Sequence, residues 1–92
     1  MVLKEECIKS FLEAIVDIIE EIKKDALKIE KGSLDKDFRD QVAIITRSYL
    51  KLGNKLLDKN ESLHLANYLY FEFEKPISEY LGFAMPTMLP YE

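Results

Sequence analysis

Ninety-two residues, 48% of them hydrophobic and 33% charged, make one folded domain with a thin core and argue against disorder. The net charge of −4 disfavours a general nucleic-acid binder, which is ordinarily basic. A lone cysteine, Cys7, excludes an intramolecular disulfide framework, no apolar run reaches the ~18 residues of a membrane span, and the charged start at Lys4, Glu5 and Glu6 has no apolar signal region, so a cytoplasmic protein is expected.

The first element is the clearest helix. Ile8, Leu12, Ile15, Ile19, Ile22, Ala26 and Ile29 form an unbroken apolar seam at alternating four- and three-residue steps. Phe11, Val16 and Ile18 widen it toward the N-terminal end, which suits contact with two neighbours. Glu13, Asp17, Glu20, Glu21, Lys24 and Lys28 fall outside the seam and form a solvated face. The spacing predicts a helix over 3–31, closed by Gly32.

Ser33 is the expected N-cap of the second helix, over 34–57, with Asp35 and Asp37 in its first turn. Leu34, Phe38, Val42, Ile45, Tyr49, Leu52 and Leu56 repeat at helical spacing, and Gly53-Asn54 weakens the final turn. A polar connection at Asp58-Lys59-Asn60 supplies the cap of a third helix over 61–75. That helix carries Leu63, Ala66, Tyr70, Phe73, Ile77 and Tyr80 on one stripe, with Leu65, Leu69 and Phe71 beside it. Leu69 to Glu74 alternates like a strand, but no other segment could pair with it, so it is read as helical. Pro76 kinks this helix or opens a short fourth turn over 76–82 that Gly82 ends. The expected architecture is all-α: an antiparallel up-down bundle of three helices and a short fourth turn in one domain, 1–92, with an extended apolar tail over 83–92.

Few residues here carry chemistry. His64 and Cys7 are single, so a zinc site built from such ligands cannot form within one chain, and di-iron bundles need Glu-x-x-His pairs that are missing. Ser33 and Ser62 suit caps or first turns rather than nucleophile elbows, and the three glycines stand apart instead of forming a phosphate loop. His64 reads as a half-exposed structural histidine with no orienting partner in sequence. No catalytic residue, cofactor or metal is expected.

Two other features stand out. No acid occurs from Gln41 to Leu57, while Arg47, Lys51 and Lys55 recur every four residues as a basic ridge. The ridge either faces the acidic flank of the first helix, in this chain or a twin, or meets an anionic partner such as a lipid head group, an acidic protein face or a nucleic-acid backbone. The second feature is an apolar surplus near the C-terminus: Tyr68, Tyr70, Phe71, Phe73, Tyr80, Phe83, Met85, Met88, Leu89 and Tyr91. Such residues are enriched in interface cores, so this set is the expected surface for a protein partner or for a homodimer.

Tyr49-Leu50-Lys51-Leu52 and Asn67-Tyr68-Leu69-Tyr70-Phe71, separated by a short polar linker with Leu57-Asp58, resemble the enterocin A type of bacteriocin immunity proteins over about 25 residues. The resemblance implies a cytosolic antiparallel helix bundle that protects a producing bacterium from a pediocin-like peptide at the membrane permease the peptide targets. It also implies that the C-terminal half sets specificity. Members of that family are usually basic and carry a long fourth helix, whereas this chain is acidic and has only the segment from Pro76 to Leu81 in that place. Three functions are thus expected in outline: a non-catalytic, self-associating interaction module, an immunity protein, and a small regulator touching nucleic acid through Arg47, Lys51 and Lys55.

Overall fold

A computed structural model describes residues 4–84. Helix α1 spans Glu5–Ala26, α2 Lys36–Leu56 and α3 Lys59–Tyr68; a π-helical segment, Leu69–Glu74, then leads without a break into α4, Lys75–Tyr80. No strand occurs among the described residues. The all-α reading therefore holds, and the alternating segment at 69–74 is helical.

Contacts set the topology. Leu12 and Val16 of α1 line a groove with Glu61, His64 and Tyr68 of α3, and the residues just after α1 meet Tyr80 at the end of α4. α1 thus runs parallel to the 59–80 helix. Arg39, early in α2, lies over Phe83, while Gly53, late in α2, touches Leu65 early in α3. α2 is therefore antiparallel to both, giving an up-down-up bundle. Its core is Ile15, Ile19 and Ala26 from α1, Val42 from α2, Leu57, and Leu65, Leu69, Phe73, Ile77 and Leu81 from the last helix.

α1 ends at Ala26, five residues earlier than its periodicity predicts. The chain leaves the helix in tight turns, Lys28 N–H to Asp25 O and Ile29 N–H to Ala26 O, both at 3.1 Å. Tyr80 Oη then donates to Ile29 O at 2.7 Å, so a side chain 51 residues away ties down the chain just after the helix. Gly32 N–H donates to Tyr80 O at 2.8 Å and Leu34 N–H to Leu81 O at 2.9 Å, fastening the α1–α2 loop to the end of α4.

α2 is capped by Asp35, whose carboxylate accepts from Phe38 N–H at 2.9 Å. Ser33 is not the cap, and Leu34 is a loop residue with φ 58°, 58% exposed. The loop's bonds to residues 80 and 81 shift the helix start by two residues. Asp35→Ala is expected to lower stability by about 1 kcal/mol, the usual cost of a lost N-cap, read as a shift of the urea midpoint at constant slope. Gly53 does not end α2 either. A Cβ there would stand 2.7 Å from Leu65 Cδ2, so the missing side chain is what lets α3 come close. Asp58 caps α3 by accepting from Glu61 N–H at 2.9 Å, and α3 starts two residues earlier than expected.

The π segment explains which residues of the last helix are buried. Leu65, Leu69, Phe73, Ile77 and Leu81 are each four residues apart, and all are 4% exposed or less. An α-helical turn takes 3.6 residues, so each four-residue step overshoots by about 40° and the row would wind off the core. Bonding to the fifth residue back, seen in Lys75 N–H to Tyr70 O, widens the turn and winds the row back. Pro76, in the first turn of α4, lacks the N–H that would oppose this. The row is the stronger cause. Burying five large side chains, each worth about 1.5–3 kcal/mol, outweighs one backbone hydrogen bond at about 0.5–1.5 kcal/mol.

One core residue is polar without compensation. Thr46 is 1% exposed, and its hydroxyl has no hydrogen-bond partner among the described residues. Thr46→Val keeps the shape and removes the stranded group, so a gain of about 1 kcal/mol in denaturant unfolding is expected.

Candidate interaction surface

The residues that sequence assigned to a partner do not form one surface. Tyr70 (5% exposed) and Phe73 (0%) belong to the core, which corrects their assignment: the π turn brings both to the inner side of the helix. Tyr80 is half-buried and holds the α1–α2 loop through its hydroxyl. Phe83 is half-buried under the Arg39 guanidinium, 4.9 Å from its ring centroid. Tyr68 lies along the small apolar groove between α1 and α3, about 200 Å³, formed with Leu12, Val16, Glu61, His64 and Leu65. Burial raises the Tyr68 hydroxyl above its ordinary value, and the charges of Glu20 and Glu72 add to this. That hydroxyl has no hydrogen-bond partner among the described residues.

Among the described residues of the set, Phe71 is the aromatic that stays open, 48% exposed. Its ring meets Tyr70 edge-on at 4.9 Å, and Lys75 Nζ lies 5.8 Å from its centroid. Leu63, two turns earlier, is 52% exposed, which corrects its place on the expected inner stripe. Met85, Met88, Leu89 and Tyr91 lie outside the described residues, as does most of the expected tail.

Among the described residues the exposed large hydrophobics are Val16, Ile18, Leu27, Leu34, Ile44, Leu52, Leu63 and Phe71, and they are spread along the helical elements and the α1–α2 loop. Scattered residues of this kind are normal on a monomer.

Sequence reasoning missed one concavity entirely. A groove of about 660 Å³ opens between the end of α2 and the start of α3, lined by Leu50, Asn54, Leu57, Lys59, Ser62, Leu63 and Ala66. Ser62 Oγ, on its lining, donates to Gly53 O at 3.1 Å beside the point where α2 comes close to Leu65. The glycine inside a helix was the signal that could have found that close approach.

The basic ridge borders this groove. Arg47 precedes Leu50 by three residues and Asn54 by seven, hence lies on the same side of α2, and Lys51 and Lys55 follow at one-turn steps. All three are exposed and none is within ion-pair distance of a carboxylate among the described residues. The acidic flank of α1 does not cover the ridge in this chain. The ion pairs of α1 and the turn after it are local: Glu20–Lys23, Glu21–Lys24 and Asp25–Lys28.

His64 and Cys7 are exposed, and no group of three or more His, Cys, Asp or Glu among the described residues could hold a metal ion. No helix among the described residues is long and apolar enough to cross a membrane. The chain is thus an all-α bundle with a cation-edged groove between α2 and α3, and no protein-family model, curated protein or solved structure matches it.

Proposed function

We propose that this protein is a non-catalytic helical interaction module of the cytoplasm, whose α2–α3 surface receives a partner helix with one acidic and apolar face. The observation that carries this reading is the pairing of an apolar floor with an uncompensated cationic edge. Leu50, Leu57, Leu63 and Ala66 offer burial, while Arg47, Lys51 and Lys59 stand along the rim. A helix laid in such a groove is read through anchors three and four residues apart, and the charges set its orientation and its rate of encounter.

Titration of the 15N-labelled protein with an acidic amphipathic helical peptide tests this. Amide shifts at Leu50, Asn54, Leu63 and Ala66 are expected, weakening as salt rises. Shifts confined to other faces, or an equal response to a basic peptide of the same length, would count against the groove.

A second reading follows from the resemblance to enterocin A-type immunity proteins. The antiparallel three-helix arrangement supports it, since the resemblance implies such a bundle. The residues that carry it are largely packing residues here: Tyr49, Leu50 and Tyr68 lean on the core, and Leu69 and Tyr70 are buried. Phe71 and Leu63 would then face the permease. Expression in a sensitive lactic acid bacterium should confer protection against a pediocin-like peptide; unchanged killing across a panel of them ends this reading. Nucleic acid is the weakest partner for the ridge. Three cations on a chain of net charge −4 fall short of the 6–10 phosphate contacts that give strong, salt-sensitive binding.

A further inference from the structure

We infer that the partner helix is α1 of a second copy of this chain, which rests on the reading above that α2 docks an acidic helix. Glu13, Asp17 and Glu21 recur every four residues on α1, as Arg47, Lys51 and Lys55 do on α2. Each row covers two helical turns, about 12 Å at 1.5 Å per residue, so the charges coincide when the helices lie alongside. Both rows are exposed on the side of their helix away from Ile15, Ile19 and Val42, and among the described residues no ion pair joins either row to another helix. Glu13 and Asp17 have no cation within ion-pair distance among the described residues, and Glu21 shares Lys24 at 3.9 Å, a loose contact between side chains 71% and 75% exposed.

Each row also brings an apolar centre. Ile18, 43% exposed, sits beside Asp17 and one turn before Glu21. Ile44, 59% exposed, sits one turn before Arg47 and two before Lys51. Juxtaposing the rows covers both isoleucines, which a scattered pair of apolar residues does not achieve within the monomer. Exposed ion pairs hold little energy individually, so the contact is weak, fast to form and strongly dependent on ionic strength.

Sedimentation velocity of the full chain at micromolar concentration tests the inference through charge reversal. The wild type sediments as an assembly at 0.01 M ionic strength, where charges act over about 30 Å, and as a monomer at 1 M, where they act over about 3 Å. R47E/K51E/K55E and E13K/D17K/E21K each lose the assembly, with circular dichroism showing that both stay helical. The chain carrying all six reversals regains it at the wild-type net charge, which separates ridge pairing from a general charge effect. A wild type that stays monomeric at low salt overturns the inference, and so does a six-fold variant that fails to reassemble. If the wild type is monomeric while the acidic peptide still shifts Leu50, Asn54, Leu63 and Ala66, the groove keeps its function and the second copy is excluded. Absence of both effects removes both.

Discussion

Phe73→Ala is expected to cost about 3–5 kcal/mol, whereas Phe71→Ala, two residues away, changes stability by less than about 1 kcal/mol. Phe73 is fully buried at the centre of the row Leu65–Leu69–Phe73–Ile77–Leu81 and is the largest of the fully buried side chains. Its truncation removes transfer free energy and leaves a cavity that helices pinned at both ends cannot close. Phe71 is 48% exposed, with only Tyr70 at its edge and Lys75 above its face. A domain of this size holds about 5–15 kcal/mol in all, so the first variant is marginal or unfolded at room temperature and the second is not. Denaturant unfolding followed by far-ultraviolet circular dichroism distinguishes them. Equal losses in the two variants would mean that Phe73 does not sit at the centre of the core while Phe71 stays open.

The second large effect is at Gly82. It follows α4 with φ +91°, and the helix end has the hydrogen bonds of a Schellman cap: Phe83 N–H to Ser78 O at 2.8 Å and Gly82 N–H to Glu79 O at 3.1 Å. A Cβ at this position would lie 3.3 Å from Gly32 Cα and 3.3 Å from Leu34 Cδ2. Gly82→Val therefore meets two penalties. A non-glycine residue in this backbone region costs about 1–2 kcal/mol, and overpacking against the α1–α2 loop about 1–3 kcal/mol more. The expected loss is about 2–5 kcal/mol, or at least about 8 °C in the thermal midpoint of a domain this small. Gly32→Ala separates the two penalties. It shares a positive φ, 74°, but a Cβ there meets nothing within 4 Å, so only the backbone part should be lost. A Gly82→Val protein as stable as the wild type would show that the loop and the helix end are not held together.

The cation-edged surface was half legible. The row Arg47, Lys51, Lys55 and the absence of acids around it are plain in the sequence, because charge and a four-residue period are properties of one helix. Whether α1 covers that row is a question of how helices are arranged, and the fold leaves it open to solvent. The groove beside it was hidden for the same reason. It is formed by Leu50 and Asn54 of α2 with Lys59, Ser62, Leu63 and Ala66 of α3, residues that come together only in the folded bundle. The aromatic tract misled in the opposite direction. Tyr70 and Phe73, three residues apart on one stripe, are buried in the core, while Phe71 stays 48% exposed, so this part of the tract gives one open ring instead of three.

The all-α class, the three helices and the closing role of Gly82 follow from the sequence alone, since each depends on local periodicity or on one residue's backbone freedom, whereas Gly32 lies in the loop after α1 and does not close it. Tertiary structure decided the rest. It ended α1 at Ala26 and tied the chain after it to the Tyr80 hydroxyl, moved the α2 cap from Ser33 to Asp35, turned 69–74 into a π segment, and opened the groove. In each case an interaction between residues distant in sequence outweighs a local preference of about 1 kcal/mol or less per residue.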